Sequence, residues 1–482
     1  MTVAAIVFPA VLAAVSPNMF PEAADDSAAI QAAVDLAASR GEPAVVPAWN
    51  ERRGTNVWTI LRTVLLPSGS TLYLDNCRVV MADGTFCNAF ANSKAWSKDR
   101  NSAAATESGI RIVGVGGAII DGGEYNGWGE RSVPGGRMTD TAKENASRLP
   151  KRLVHNCPVY FHNVRDFEVR GVLVRRQRYW GMCFSFCSHG EIRDIRFEAD
   201  ISYVSDDGLT HDPNRLPENY RNVWVKNGDG IDLRSGCHDI LVENVTGWTE
   251  DDVIALTNLQ HSEAADKVEG ESTDLHHVVI RNVRAGCWKA NVIRLLCGDG
   301  TKIHDISIDG VMDTSFPGWT WRATSSILVN DAYDEYIHHE RVKMGDVRNI
   351  SIANVFSESG AAVRLTDAME NVSIRNVHAA RGCQAAVLTQ GRTVFKNVVV
   401  DGIFCDSTAR IGAVLDLHEV SGELDVRNVR ADSAEHVLRR SGGDVKVNLS
   451  DVRVCRLSGA EKADFAKGQP GYGAHWFSGA IE

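Results

Sequence analysis

The amino-acid sequence predicts an all-β protein, a right-handed parallel β-helix with a short N-terminal capping helix. Three observations lead to this prediction. A short alternating segment ending in Asn or Asp-Gly recurs through the second half of the chain. One clear amphipathic helical stripe occurs near the start and does not return with comparable strength. The 482 residues are also too many for one compact core of ordinary size, unless the architecture is elongated.

The capping helix is predicted between Asp25 and Arg40. Asp and Ser residues at 25–27 can accept hydrogen bonds from the first backbone N–H groups of a helix, and Gly41 can end it. The apolar residues at helical spacing are Ile30, Ala33, Val34 and Ala37. Short apolar runs separated by turn residues follow this helix, and they indicate strands.

The repeat is a strand of alternating apolar and polar residues, followed by Asn or Asp-Gly and another apolar residue. Its copies lie at 238–245, 277–283, 304–311, 349–355, 371–377, 397–403 and 423–429. The intervals between the Asn or Gly positions 354, 376, 402 and 428 are 22, 26 and 26 residues. A unit of this length made of strands and turns cannot bury its apolar face alone, so the copies must stack into a solenoid.

Stacking determines which residues become neighbours. Successive coils lie at roughly the 4.8 Å spacing of paired strands, so residues one coil apart come into contact. Because side chains alternate along a strand, every second residue points inward and the others form columns along the surface. The chain is therefore expected to comprise a cap with the first coils (1–105), the main β-helix with the functional face (106–455) and a C-terminal tail (456–482).

The composition excludes several classes of protein. With 44% hydrophobic and 23% charged residues, the chain is neither disordered nor collagen-like. A net charge of -11 opposes binding to nucleic acid or to anionic membranes, and it favours a neutral or locally gripped ligand. The 11 cysteines show no CxxC pair and no zinc-ligand spacing, so neither a disulfide framework nor a metal site or cofactor is expected. Assembly into a homo-oligomer is left open.

The segment Met1 to Val15 is apolar, but no Lys or Arg occurs before Arg40. A secretory signal normally begins with positive charge, so a cytoplasmic location is expected, with secretion as the alternative. The segment is also too short to span a bilayer as a helix, and no membrane association is expected.

The candidate chemistry lies where two adjacent coils can be aligned by their apolar residues. Ile231 and Leu233 match Ile254 and Leu256 at one coil's offset. Asp229 then falls beside Asp252, with Asp251 directly before it, so three carboxylates are expected to converge. Clustered carboxylates raise one another's proton affinity, as acid–base cleavage of a glycosidic bond requires. The alternative is that these residues close turns or bind a structural cation.

The same alignment extends over further coils. It places Asn291 over Asp252, and it places Arg294 in the outward column that begins with Asp232. Leu328 and then Arg364 continue that column on the next coils. Acidic and basic groups are therefore predicted to share one face, where Asp232, Asn291, Lys289, Arg294 and Arg364 are candidate substrate contacts. Trp180 and Trp288, near the starts of coils, are candidates for a sugar-stacking platform.

The acidic motifs carry a family resemblance. Asn227-Gly228-Asp229-Gly230, followed by Glu250-Asp251-Asp252, resembles the NTDG and (Q/G)DD motifs of glycoside hydrolase family 28, the polygalacturonase-like β-helix enzymes. The resemblance covers roughly Gly109 to Cys455, and the N-terminal helix looks like the cap of pectate-lyase-like proteins. It implies that Asp229 and Asp252 hold the attacking water as base, and that Asp251 is the general acid.

Two family motifs are absent. The position of the GHG histidine is occupied by Asn291, and the RIK motif that grips a galacturonate carboxylate is replaced by Leu328-Val329-Asn330. Arg294 and Arg364 lie in the same column as the missing Arg and could grip an acidic sugar instead. The segment 205–212 is a candidate cleft wall, with metal binding by Asp206, Asp207, His211 and Asp212 as the alternative.

These observations predict a glycoside hydrolase that cleaves a pectin-derived or related oligosaccharide or polysaccharide by inverting acid–base hydrolysis. One alternative is a polysaccharide lyase or epimerase, in which Asp residues bind calcium and Arg294 or Lys289 removes a proton beside a uronate carboxylate. Another alternative is a glycan-binding β-helix without catalytic activity. Fold-level analogy does not separate these functions, because β-helices host several chemistries.

Overall fold

The protein is a right-handed parallel β-helix, as the sequence predicts. The computed structural model describes residues 14–82, 85–123, 153–200, 228–259, 267–288, 290–314, 322–330, 340–380, 383–405, 411–432 and 434–454, and the backbone of three short strands between 203 and 224. Parallel strands of successive coils pair through this whole length into one continuous sheet.

One α-helix, α1 (Asp26–Arg40), precedes the strands, and short 3₁₀ helices lie at Pro17–Met19, Ala103–Ala105 and Leu153–Asn156. The strands are β1 (Ala44–Val46), β2 (Val57–Ile60), β3 (Val64–Leu66), β4 (Thr71–Asp75), β5 (Arg78–Met81), β6 (Phe90–Asn92), β7 (Glu107–Val115), β8 (Ile119–Asp121), β9 (Val159–His162), β10 (Val164–Arg170), β11 (Leu173–Arg175), β12 (Met182–Ser185), β13 (Ser188–Glu198), β14 (Tyr203–Ser205), β15 (Thr210–His211), β16 (Val223–Trp224), β17 (Ile231–Leu233), β18 (His238–Thr249), β19 (Ile254–Asn258), β20 (Leu275–Cys287), β21 (Asn291–Cys297), β22 (Ile303–Asp313), β23 (Ser325–Val329), β24 (Val347–Ser357), β25 (Ala361–Leu365), β26 (Ala368–Ala379), β27 (Ala385–Thr389), β28 (Thr393–Cys405), β29 (Ile411–Ala431), β30 (Ala434–Gly443) and β31 (Lys446–Val454).

The early coils contain three short strands each, and the later coils contain two longer ones. One row of paired strands runs from β1 through β4, β7, β10 and β13 to β18 and beyond. A second short row, β2, β5, β8 and β11, merges into the second half of β13. The remaining row carries β9, β12, β17, β19, β21, β23 and β25, and it positions the candidate site. The antiparallel strands β14–β16 form a separate small sheet.

The helix α1 covers the open end of the first coil. The side chain of Asp25 accepts a hydrogen bond from the backbone N–H of Ala28 at 2.8 Å, and Gly41 ends the helix in the left-handed region at φ 63. Its stripe of Ile30, Ala33, Val34 and Ala37 is buried against β1, β2 and β3. This burial removes the apolar interior of the first coil from water, so the predicted cap is confirmed.

The inward side chains form one continuous hydrophobic core along the solenoid. Ile240, Val242 and Val245 of β18 lie directly beneath Val278, Ile280 and Val283 of β20, and all six are at most 2% exposed. Burying a side chain of this size contributes roughly 1.5–3 kcal/mol relative to leaving it exposed. The apolar alternation of the repeat therefore sets the register of neighbouring coils.

The Asn of each repeat has a structural function outside the core. Asn354 and Asn376 adopt positive φ values of 56 and 53, where a short polar side chain is tolerated better than most others. The side chain of Asn376 donates to Asn354 Oδ1 at 3.1 Å, and that of Asn354 donates to Asp309 Oδ1 at 2.6 Å. We call this row the strand-centre ladder. It explains why Asn recurs where the chain bends between apolar residues.

A second row, the strand-entry ladder, lies where the same strands begin. Asn349, Asn371 and Asn397 each have φ 55 and occupy equivalent places on β24, β26 and β28. Asn397 donates to Asn371 at 2.8 Å, Asn371 to Asn349 at 3.1 Å, and Asn349 to Asp305 at 2.8 Å. The two ladders link successive coils at both bends of the long strands.

Several predicted segments fall outside the described residues. These are most of Met1 to Val15 and the tail 456–482. The coils on either side of the predicted boundary at 105 belong to the same sheet, since β6 pairs with β9. Within the described part of the chain, none of the helices combines the length and the apolar character needed to cross a membrane.

We expect Asn376→Ala to destabilise the protein by about 1–2 kcal/mol, because Ala is disfavoured at positive φ and cannot continue the strand-centre ladder. Asn376→Gly is the matched control, since Gly adopts this backbone conformation freely and loses only the side-chain hydrogen bond. Urea unfolding of both variants measures the difference. Equal losses in the two variants would show that the left-handed conformation contributes nothing.

Candidate active site

The predicted register of the acidic coils is confirmed. Ile231 pairs with Ile254 and Leu233 with Leu256, and the same row continues to Ile293 and Leu295. The outward column between these residues runs from Asp232 through Ala255, Arg294 and Leu328 to Arg364, as predicted. The side chains discussed below therefore come from separate coils that are adjacent in space.

The carboxyl groups of Asp229, Asp251 and Asp252 meet at one place. One oxygen of each lies within 4.8 Å of the others. The backbone N–H of Asp252 donates to Asp229 Oδ1 and to Asp251 Oδ1, both at 3.1 Å. Asp229 and Asp252 are 2% and 0% exposed, whereas Asp251 is half-buried. Asp251 is therefore the member of the cluster that solvent reaches most easily.

Two glycines beside Asp229 allow this close approach of the chains. A Cβ atom on Gly230 would lie 2.5 Å from the carbonyl oxygen of Val253, and one on Gly228 would lie 2.5 Å from that of Tyr179. Instead, the backbone N–H of Gly230 donates to the carbonyl oxygen of Asp252 at 2.9 Å. The glycines of the Asn-Gly-Asp-Gly motif thus hold Asp229 against the neighbouring coil.

Asp252 is held by groups from the next coil. The backbone N–H and the side-chain amide of Asn291 both donate to Asp252 Oδ1, at 2.8 and 3.0 Å. Ser325, one coil further, donates to Asn291 Oδ1 at 2.5 Å and so orients the amide. On the other side, Arg294 Nε lies 2.7 Å from Asp252 Oδ2. Two of the residues predicted as substrate contacts, Asn291 and Arg294, thus contact Asp252.

Burial and neighbouring charge raise proton affinity in this cluster. Burial, together with the carboxylates of Asp232, Asp251 and Asp252, raises the pKa of Asp229 well above its usual value. Burial raises the pKa of Asp252 to about 6, while Arg294 and the hydrogen bonds from Asn291 limit the rise. At neutral pH Asp252 is therefore mostly ionised, and the raised pKa of Asp229 favours its protonated form.

Asp232 lies deeper than the sequence suggests. It is fully buried, and Arg234 donates to its Oδ1 from 3.2 Å. The guanidinium of Arg234 lies 4.5 Å from the ring centroid of Trp180, a cation–π distance. Asp232 acts on the cluster through charge, because its carboxylate raises the pKa of Asp229. A direct substrate contact by Asp232 stays a prediction.

The predicted aromatic platform is largely covered. Trp180 and Trp288 are 5% and 2% exposed, so sugar stacking on either ring would require it to become exposed. Trp180 stacks on Tyr179, with ring centroids 4.2 Å apart. Their role in substrate binding stays a prediction.

Sequence reasoning missed an aromatic cluster on the same side of the helix. Tyr160 stacks on Trp96 with ring centroids 4.6 Å apart, and Trp96 stacks on His155 at 3.6 Å. Tyr160 belongs to the column of Asp232, two coils before it. Extending the apolar alignment backwards from β17 would have found Tyr160. Trp96 gave no such signal, because it lies outside the strands.

Other predicted residues are placed as follows. Arg364 is half-buried and lies two coils after Arg294 in the same column. Leu328 and Asn330, at the position of the family's basic motif, are 5% and 0% exposed. Lys289 lies outside the described residues, as do Asp206, Asp207, Asp212 and the side chain of His211.

The clustered carboxylates can also hold a cation. Three oxygens within 4.8 Å of one another suit a hard divalent ion such as Ca²⁺, which takes carboxylate ligands. The ion pair between Arg294 and Asp252 already supplies positive charge beside them.

Neither a scan against protein-family models nor a search of curated proteins finds a match to this sequence. Solved structures do match. A tailspike protein of E. coli bacteriophage HK620, in complex with a hexasaccharide, has a TM-score of 0.51 at 12% identity, over 93% of this chain and 79% of that one. The pre-mature gene product 12 of bacteriophage phi29 has a TM-score of 0.52 at 14% identity, over 90% of this chain and 52% of that one.

An exopolygalacturonase from Thermotoga maritima is also similar, with a TM-score of 0.44 at 15% identity, over 80% of this chain and 91% of that one. At these identities, the similarities to the tailspike protein and to gene product 12, with TM-scores above 0.5, show the fold alone. They leave the chemistry to be argued from the site.

We expect Arg294→Gln to destabilise the protein by about 2–4 kcal/mol at pH 8 and by less at pH 5. Without Arg294 the pKa of Asp252 rises further above about 6, so its ionisation in the folded state costs more as pH increases. At pH 5 Asp252 is mostly protonated with or without Arg294. Thermal unfolding at the two pH values measures the difference.

Arg281→Gln is the matched control, because Arg281 is exposed and pairs with a half-buried Glu243 at the surface, and such pairs contribute little. A loss in Arg294→Gln that is the same at both pH values would contradict the assigned ion pair.

Proposed function

We propose that the protein is a glycoside hydrolase that cleaves a pectin-derived or related oligosaccharide through Asp229, Asp251 and Asp252. The convergence of these three carboxyl groups, with oxygens within 4.8 Å of one another, is the observation that supports the proposal most strongly. Glycosidic cleavage needs one carboxyl group that gives a proton and one that accepts a proton. A buried cluster with unequal environments meets this need.

Asp252 is assigned as the base. With its pKa at about 6 it is ionised at neutral pH, and Asn291 and Arg294 fix its orientation. A water molecule hydrogen-bonds to two oxygens when each lies about 2.8 Å away. Oxygens within 4.8 Å can therefore share one water, and Asp229 and Asp252 are assigned to hold the attacking molecule. Attack on the anomeric carbon transfers a water proton to Asp252.

Asp251 is assigned as the acid, because it is the most accessible of the three carboxyl groups to a bound glycosidic oxygen. The raised pKa of Asp229 favours retention of a proton within the cluster. Protonation of the leaving oxygen through Asp251 would return the cluster to its starting charge once Asp252 has taken the proton from water.

Direct displacement would invert the anomeric carbon. Inverting enzymes usually keep their two carboxyl groups about 6.5–9.5 Å apart, and retaining enzymes keep them about 5–5.5 Å apart. The closest oxygens here lie within 4.8 Å, at or below the retaining range. We nevertheless assign direct displacement by water. Asp252 is 0% exposed and accepts hydrogen bonds from Asn291, so its carboxylate is poorly placed to attack the sugar carbon itself.

An acidic sugar is the proposed substrate class. Arg294 and Arg364 lie in the outward column that leads away from the carboxylates, and both are half-buried. Arg294 pairs with Asp252, and Arg364, two coils further along the column, is the residue we assign to contact a uronate carboxylate. Arg binds planar carboxylates well through paired N–H groups.

A cation-dependent lyase or epimerase is the second candidate, because the same three carboxylates can hold a divalent ion. A lyase would require the metal and would release an unsaturated product that absorbs in the near ultraviolet. The hydrolase would remain active after chelation and would release a reducing sugar with no such absorbance.

We expect Asp251→Asn to lose about 10²–10⁴-fold in turnover on the substrate, because an amide cannot donate the proton that the leaving oxygen needs. The assay uses a panel of pectic and neutral oligosaccharides and follows the reducing ends and the anomeric configuration by NMR. An inverted product is expected. A retained product would replace direct displacement by a covalent intermediate.

Asp194→Asn is the control for this assay. Asp194 accepts a hydrogen bond from Asn244 in the strand-centre ladder, where Asn is a native residue type, and it lies on an exposed bend. Equal turnover in wild type and Asp251→Asn, or no turnover of any glycan by the wild type, would overturn the proposed function.

A further inference from the structure

The strand-entry ladder changes its chemistry in four successive coils. Asn349, Asn371 and Asn397 form its later part. The equivalent left-handed positions in the preceding coils are His189, Asp239, His277 and Asp305, with φ values of 54, 53, 52 and 56. The backbone geometry is therefore unchanged, while amide side chains give way to imidazoles and carboxylates.

A second column of imidazoles runs beside this one. His238, His276 and His304 are paired positions at the starts of β18, β20 and β22. Their rings stack with centroids 4.9 and 5.0 Å apart and interplanar angles of 10° and 5°. We call the residues of the two columns from 189 to 305 the His–Asp cluster.

Each of three coils brings two ligand-type atoms together. His238 Nδ1 lies 2.8 Å from Asp239 Oδ2, and His304 Nδ1 lies 2.6 Å from Asp305 Oδ2. Between them, His276 Nδ1 lies 2.6 Å from His277 Nδ1. Two imidazole nitrogens at this distance repel each other unless a proton or a cation lies between their lone pairs.

At one end of the cluster, three residues form a possible coordination site. A ring nitrogen of His189, a ring nitrogen of His238 and a carboxylate oxygen of Asp239 lie within 4.8 Å of one another. His189 and Asp239 are exposed and His238 is half-buried, so a hydrated ion can reach all three. Small side-chain rotations would bring these atoms to the roughly 2.0–2.2 Å bond lengths of zinc.

We propose that the His–Asp cluster binds a divalent transition-metal ion of the Zn²⁺ type, with His189, His238 and Asp239 as ligands and water completing the coordination. Imidazole and carboxylate ligands suit zinc, whereas an all-oxygen site would suit calcium or magnesium. Asp274 lies 3.5 Å from His304 Nε2, at the other end of the His–Asp cluster, and adds a further negative charge to the cluster. The site is separate from the catalytic residues, because it lies at the start of β18 rather than of β19.

Metal binding would join two coils that are distant in sequence. His189 belongs to β13, and His238 and Asp239 belong to β18, which pairs with it. A bound ion would therefore stabilise the folded chain over the unfolded one, by linkage. The expected effects are on stability and on metal affinity, and the turnover of glycans is expected to stay unchanged.

The experiment is a calorimetric titration of chelator-treated protein with ZnCl₂, run for wild type, His189→Asn and His238→Asn. Asn is native at the later positions of the strand-entry ladder, so His189→Asn keeps the local backbone while removing a ligand. Each variant is expected to bind Zn²⁺ at least about 10-fold more weakly than wild type. Saturating Zn²⁺ is expected to raise the Tm of wild type by about 2 °C or more, and to do so less in both variants.

His378→Asn is the matched control, because His378 is a half-buried histidine of a separate column that packs edge-to-face on Phe356. It is expected to bind Zn²⁺ as wild type does. Co²⁺ provides a second readout, since its weak visible absorption in water shifts and intensifies when protein side chains ligate it at a four-coordinate site. Absence of Zn²⁺ binding by wild type, or unchanged affinity in both His189→Asn and His238→Asn, would overturn the proposal.

Discussion

The parallel pairing of one coil with the next is the constraint on which the rest of this structure depends. Backbone hydrogen bonds between β17, β19 and β21 fix the offset of successive coils. That offset converts sequence-distant residues into spatial neighbours. The acidic cluster, the column of Arg294 and Arg364, and the His–Asp cluster are all consequences of the same pairing. A shift of one residue in the pairing of two coils would move every inward side chain to the surface. The buried apolar alternation therefore fixes the register of the candidate site as well as that of the core.

Much of the fold could be predicted from the sequence, because each coil repeats one simple pattern. Apolar alternation gave the register of Ile231 with Ile254 and hence the meeting of Asp229 with Asp252. The positions of side chains outside that pattern could not be predicted. Arg234 over Trp180 depends on rotamers at a turn, and Trp96 against Tyr160 joins a loop to a strand. Trp180 and Trp288 lie outside the strands, so alternation within a strand carries no information about their burial.

Burying the carboxylates of the candidate site costs free energy, and their hydrogen bonds and ion pair offset part of that cost. Burying carboxylates raises their pKa values, and the neighbouring charges of the cluster add to this rise for Asp229. Arg294 and Asn291 offset part of the cost at Asp252 and so favour its ionised form near neutral pH. The group that supports Asp252 is a neutral amide, that of Asn291, which Ser325 orients. A protonated and an ionised carboxyl group can coexist in this cluster because the environments of Asp229, Asp251 and Asp252 differ.

The central claim is that three carboxyl groups from neighbouring coils share one partly buried site. A ¹³C NMR titration of the aspartate carboxyl groups in wild type, Asp251→Asn and Asp252→Asn tests it most directly. We expect Asp229 to titrate well above 3.8 in wild type, and its pKa to fall in each variant because a neighbouring negative charge is removed. An Asp229 carboxyl that titrates near 3.8 and is unaffected by either substitution would contradict the shared site.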